Sequence, residues 1–134
     1  MRIIVTGRVH TGLPPEEAFV LFTPRGEERW AEGWHPRFPA GSVEDDTEPG
    51  TVFETHGTYW VVLERDPGRR IAYARVTPGD RAGRVIVTLD ADGAEVTYDL
   101  TALTEASAER LQAFADDYPA FLQSWEQAIS RLAG

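Results

Sequence analysis

Arg75 lies in a stretch, Arg70 to Thr77, that alternates Ile71, Tyr73 and Arg75 with Ala72, Ala74 and Val76. Strand geometry puts the arginine on one face with the isoleucine and the tyrosine. If that face points inward, a guanidinium is buried and needs a partner, either a carboxylate such as Glu54 or an acidic ligand. If Ala72, Ala74 and Val76 line the inside instead, Arg75 stands in solvent. The chain also supplies many rings: Trp30, Trp34, Phe53, Tyr59, Trp60, Tyr73, Tyr98, Phe114, Tyr118 and Trp125. Such residues either fill a core or line a pocket in which Tyr hydroxyls and Trp N–H groups orient an apolar ligand. Trp30, Trp34, Phe53, Tyr73, Arg75, Tyr98, Phe114 and Tyr118 are the candidate ligand-binding set.

Other chemistry finds less support. His10, His35 and His56 could act as general bases or metal ligands, but none stands in a spacing such as His-Glu-x-x-His and the chain has no cysteine. No metal site and no cofactor are expected. His35, in Trp34-His35-Pro36, is placed to border a cavity mouth, and His56 ends a strand; surface or capping roles are the plainer reading of all three. Ser42, Ser107, Ser124 and Ser130 have no histidine nearby in sequence, and no Gly-x-Ser-x-Gly motif or glycine-rich phosphate loop occurs. Catalytic residues are therefore not assigned.

A formal net charge of -9 argues against nucleic acid and anionic membrane surfaces, because phosphate binding depends on clustered cations. All thirteen basic residues are arginine, so only their positions carry information. The lack of cysteine excludes disulfides and thiolate chemistry. Met1 to His10 form no signal-like run and no stretch approaches the ~18 apolar residues of a spanning helix, so no membrane insertion and a cytoplasmic location are expected. With 134 residues, 42% of them hydrophobic and 26% charged, one soluble domain over 1–134 is the simplest organisation.

These residues need elements to position them. From about Thr104 to Leu132, Leu111, Phe114, Ala115, Tyr118, Phe121, Leu122, Trp125, Ile129 and Leu132 recur at spacings of three and four, one apolar helical stripe. Thr104 or Ser107 suits its start, and Arg131 with Gly134 its end. Pro119 predicts a bend near Asp117 to Pro119, within one kinked helix about 40 Å long. At the other end, Arg2 to His10 reads as a strand with Ile3, Val5 and Val9 on one side. Pro15 to Thr23 and Glu27 to Glu32 read as two short helices, the second carrying Trp30 inward. Trp34 to Pro49 reads as loop, with at most a short strand around Gly41 to Glu44.

Thr51 to His56, Thr58 to Arg65, Arg70 to Thr77, Arg84 to Asp90 and Glu95 to Thr104 then form a run of strands separated by Gly57, Asp66-Pro67-Gly68, Pro78-Gly79-Asp80 and Asp92-Gly93. Turns this short make neighbours antiparallel. In the last strand, Val96, Tyr98, Leu100 and Ala102 form the inner face and Asp99 is a surface carboxylate. An antiparallel sheet needs one face covered, and only the terminal helix has enough apolar area to cover it.

The leading strand, Pro14-Pro15-Glu16-Glu17-Ala18-Phe19, the tryptophans at 30 and 34, Pro49-Gly50-Thr51-Val52-Phe53, the Trp60 strand ending in Asp66-Pro67, and the terminal helix together resemble the START-like, birch-pollen-allergen-like (SRPBCC, polyketide cyclase-like) superfamily. The resemblance spans nearly the whole chain. It implies an α+β helix-grip fold: a strongly curved antiparallel sheet of about six or seven strands around a long C-terminal helix, with two short helices after strand 1. It also implies an apolar cavity between sheet and helix.

Three functions are compatible with that resemblance. The first is a module that binds a small, mostly hydrophobic molecule, aromatic or carboxylated. The second is a cyclase, aromatase or lyase using His35 or His56 with Tyr73 and Arg75. The third is a partner-binding protein that acts on a chaperone or forms a homodimer through exposed apolar surface; the run Glu44 to Asp46 would serve such a contact, its plainer reading being a solvated loop.

Overall fold

The computed structural model describes residues 1–41 and 43–132. Ser42, Ala133 and Gly134 lie outside the described residues, and with them the role expected of Gly134 at the end of the last helix.

Six strands form one antiparallel curved sheet: β1 (Arg2–Val9), β2 (Val52–Thr55), β3 (Thr58–Asp66), β4 (Arg70–Thr77), β5 (Arg81–Asp90) and β6 (Gly93–Ala102). Their spatial order is β1-β6-β5-β4-β3-β2. Each neighbour from β2 to β6 follows the last through a short turn, and β1 closes the far edge by pairing with β6, Ile3 opposite Leu100 and Val5 opposite Tyr98. Helix α1 (Pro15–Leu21) and a 3-10 turn, Gly26–Arg29, follow β1. The architecture is the helix-grip α+β fold expected from the sequence, with six strands.

One of the local readings changes and two hold. The terminal apolar stripe is two helices, α2 (Glu105–Asp116) and α3 (Tyr118–Ser130), broken at Asp117 rather than bent within one helix. Asp117 has φ -92° and ψ 5°, and Pro119 sits in the first turn of α3, where its missing N–H costs nothing. The start of α2 uses both residues that suited it: Thr104 Oγ1 accepts from the Ser107 N–H at 3.0 Å, and Ser107 Oγ accepts from the Thr104 N–H at 3.1 Å. No strand forms at the described residues of 41–44; the loop meets the sheet through a bridge between Arg37 and Glu54 and through Arg65 of β3, whose guanidinium holds Asp45, Thr47 and Glu48.

The inner face of the sheet carries Phe53, Trp60, Val62, Ile71, Tyr73, Val85, Val87, Val96, Tyr98 and Leu100, all buried. Helix α3 comes closest over β1, where a Cβ on Gly7 would lie 2.6 Å from Leu122 Cδ1. A side chain at residue 7 would force the Leu122 side chain to move aside.

Asp99 differs from expectation in burial. It stands on the outer face, as alternation requires, yet it is only 7% exposed. Arg2 grips it with two hydrogen bonds of 2.8 Å, and Arg84 Nη2 approaches to 3.3 Å. Two long side chains lie over the carboxylate and hold its pKa below the ordinary value, chiefly through the Arg2 hydrogen bonds.

Candidate functional site

The segment after α1 builds one wall of a pocket. Thr23 Oγ1 donates to the Val20 carbonyl at 2.7 Å and accepts from the Gly26 N–H at 3.0 Å, which folds the 3-10 turn back against the helix. Trp30 Nε1 donates to the Leu21 carbonyl at 2.8 Å, and Trp34 Nε1 to the Pro24 carbonyl at 2.7 Å. Both indoles are thus anchored by their polar edge, with their faces free for packing. Trp30 meets Phe22 and Trp125 edge to face, with centroids 5.9 and 5.3 Å away. Trp34 meets Phe53 and Trp60 in the same manner.

Between this wall, strands β2 to β6 and helix α3 lies a pocket of about 270 Å³. It is lined by Phe22, Glu27, Trp30, Ala31, Trp34, Phe53, Trp60, Tyr73, Arg75, Val85, Val87, Tyr98, Phe121 and Trp125. At ~30 Å³ per molecule of liquid water, its volume equals that of about nine waters. That falls just below the usual range of ligand pockets, about 300–1,000 Å³, so one or two fused rings fit and a sterol does not.

Six of the eight candidate residues meet here: Trp30, Trp34, Phe53, Tyr73, Arg75 and Tyr98. Phe114 and Tyr118 do not. Phe114 packs its edge on Tyr98 at 5.2 Å and lines a shallow outer depression with Arg81 and Arg110. Tyr118 is buried and donates its hydroxyl to the Val96 carbonyl at 2.6 Å. The reason is the break at Asp117: α2 leans on β1 and β6, and only the later turns of α3, with Phe121 and Trp125, pass over the pocket.

Arg75 does face inward with Ile71 and Tyr73. Its Cζ lies 5.0 Å from the centroid of Trp60, its cross-strand neighbour, and Nη2 donates to Thr77 Oγ1 at 3.0 Å. Its Nε is buried with no hydrogen-bond partner among the described residues. Burial draws its pKa below the ordinary value, but a guanidinium starts so high that it stays charged. Glu54 is not its partner. Glu54 stands one residue from Phe53 and therefore on the outer face, where it accepts from Arg37 Nε at 2.7 Å and from the Gly57 N–H at 2.8 Å.

Glu27 is the residue that sequence reasoning missed. It lines the pocket, and burial alone pushes its carboxyl pKa well above the ordinary value. Among the described residues no hydrogen bond or ion pair holds that carboxyl. The signal was present: a 3-10 turn aligns residues three apart, so a glutamate three before an inward tryptophan points the same way.

The linkage sign gives a test. Glu27 binds its proton more tightly folded than unfolded, so its stabilising effect is complete below about pH 4.5 and is lost as pH rises above that value. Glu27→Gln keeps the shape of the protonated acid. At pH 7–8 it should melt above the wild type, with the difference shrinking as pH falls and vanishing near pH 4. Equal melting temperatures across that range would show that Glu27 ionises freely in the folded protein.

The histidines stay outside the pocket. His35 is exposed with Nδ1 4.0 Å from Glu28, His56 Nε2 meets the Gly33 carbonyl at 2.6 Å, and His10 Nδ1 lies 3.2 Å from Glu126. Tyr73 cannot act as a free acid either: its hydroxyl donates to the Phe22 carbonyl at 2.7 Å, and burial raises its pKa.

No family model and no curated protein matches the chain. Solved structures do match it in fold. Protein MLL2253 from Mesorhizobium loti is 16% identical, with 98% of each chain covered and a TM-score of 0.64. CalU16 from Micromonospora echinospora is 18% identical, with 98% of this chain and 85% of that chain covered and a TM-score of 0.54. The Aha1 dimer from Colwellia psychrerythraea is 13% identical, with 96% of each chain covered and a TM-score of 0.56. At such identities the likeness shows a shared fold. Among the described residues, no helix is long and apolar enough to cross a membrane.

Proposed function

We propose that the chain is a single START-like (SRPBCC) domain over 1–134 that binds a small, mostly hydrophobic molecule, aromatic or carboxylated, in the pocket between sheet and α3. The observation that carries the reading is a ring-lined hollow with a buried arginine Nε left without a partner. An unpaired buried donor is costly, and a core evolved only for stability has no use for it. Phe53, Trp60 and Tyr73 supply walls at one end, and Tyr98, Phe121 and Trp125 at the other. The enzymatic alternative built on His35 or His56 loses its proton carriers, since neither lines the pocket. Binding without covalent chemistry is the better-supported reading.

The test is a thermal-shift panel of fatty acids, flavonoids, polyketides and quinones, with native mass spectrometry of the freshly purified protein. A ligand at one hundred times its Kd should stabilise by about 2.7 kcal/mol, a shift of several degrees. A flat panel together with a ligand-free mass would overturn the proposal.

A further inference from the structure

The pocket's polar groups divide into those already used and those left over. The indole N–H groups of Trp30, Trp34 and Trp60 and the hydroxyl of Tyr73 all donate to the protein itself, Trp60 to Thr55 Oγ1 at 2.9 Å. Among the described residues, the Arg75 Nε is the buried side-chain polar atom left without a partner, and the Glu27 carboxyl, the Tyr98 hydroxyl and the Trp125 N–H belong to lining residues and are not held by another side chain. No ion pair joins Glu27 to Arg75. Asp80, the carboxylate whose field reaches Arg75, is already committed to Arg81 and Arg110, at 2.6 Å each. So in a chain of net charge -9 the arginine inside this pocket has no counter-ion among the described residues.

Resting on the binding reading above, we infer that the occupant is a small planar aromatic acid whose carboxylate pairs with the guanidinium of Arg75, with a second polar group directed at Glu27 and Tyr98. A charge-assisted hydrogen bond to a carboxylate recovers the most of what burying the guanidinium costs. Trp60 holds the guanidinium by its face, so the plane of the arginine is set before the ligand arrives. The volume admits a naphthalene-sized ring system among Phe53, Tyr98, Phe121 and Trp125. Glu27 in its protonated form donates as well as accepts, so a ring hydroxyl or carbonyl is satisfied there without a second charge.

Isothermal titration with 2-naphthoate, 6-hydroxy-2-naphthoate, 2-naphthamide and 2-naphthol separates this inference from the reading beneath it. The wild type should bind 2-naphthoate about tenfold or more tightly than 2-naphthamide, and the 6-hydroxy acid more tightly still. Arg75→Met should abolish the preference for acid over amide while leaving the affinity for 2-naphthol within about threefold. Equal binding of acid and amide by the wild type overturns the ligand class and leaves a neutral-ligand pocket standing. Failure of all four probes, while another compound stabilises the protein, also overturns the class. Failure of these probes and of the whole thermal-shift panel overturns the binding reading itself. If Arg75→Met does not fold, the comparison of acid with amide in the wild type decides alone.

Discussion

Replacing Gly26 with alanine should destabilise the protein by about 3 kcal/mol or more and disturb the pocket at the same time. A Cβ at this position would lie 1.7 Å from the Val20 carbonyl oxygen and 2.6 Å from Thr23 Oγ1, and real Cβ atoms essentially never come within 3.0 Å. The obstacle is backbone, so it cannot swing aside. The Val20 carbonyl is also the acceptor for Thr23 Oγ1, and Thr23 Oγ1 the acceptor for the Gly26 N–H, so moving the 3-10 turn away breaks both bonds. Glu27 and Trp30 ride on that turn, so the pocket wall moves with it. Chemical denaturation monitored by tryptophan fluorescence measures the effect. A variant within about 0.5 kcal/mol of the wild type would show that the turn and α1 separate at almost no cost.

Phe53→Ala should cost about 3–5 kcal/mol, a drop in melting temperature of roughly 10–20 °C. Phe53 is 1% exposed, stacks on Trp60 with centroids 5.7 Å apart and planes 3° from parallel, and meets Trp34 and Tyr73 edge to face. Removing it takes away a ring that Trp34, Phe38, Trp60 and Tyr73 all lean on and leaves a void that Trp60 alone cannot close. Because Phe53 also lines the pocket, the void opens onto the ligand space. Phe53→Leu, which keeps most of the volume, should cost under half as much. The two variants compared by thermal melting decide the point: equal losses would mean that the stacking geometry matters and the filled volume does not.

The strands and the terminal stripe were legible because their signals are local. Period-two alternation in 70–77 put Arg75 with Ile71 and Tyr73, and the turn residues between strands forced the meander. What alternation cannot state is which face is inner. Once Trp60 and Arg75 are paired across β3 and β4 on the inner face, Glu54 is carried to the outer one, and the carboxylate that the sequence offered as a partner is out of reach. Asp99 shows the same limit. Its outer placement followed from its neighbours, but its burial came from Arg2, ninety-seven residues away in the chain.

Phe114 and Tyr118 were grouped with the pocket because a helical stripe treats all its members alike. The sheet does not: its curvature brings β1 and β6 against α2 and the start of α3, and holds β2 to β5 away from Phe121 and Trp125, where the hollow lies. Glu27 was passed over for the opposite reason. Its type suggested solvent, and only the packing of the 3-10 turn against α1 turned it inward.

By itself the sequence determined the order of the strands, the antiparallel pairing, an irregularity of the terminal stripe near Pro119 and the stock of rings, since each follows from propensities and periods within a few residues. The tertiary structure alone decided which face of the sheet closes on α3, which rings face a hollow rather than a neighbour, and that Arg75 and Glu27 share that hollow without neutralising each other. Those outcomes depend on sheet curvature and on contacts between residues far apart in the chain, where a window of neighbouring residues carries no information.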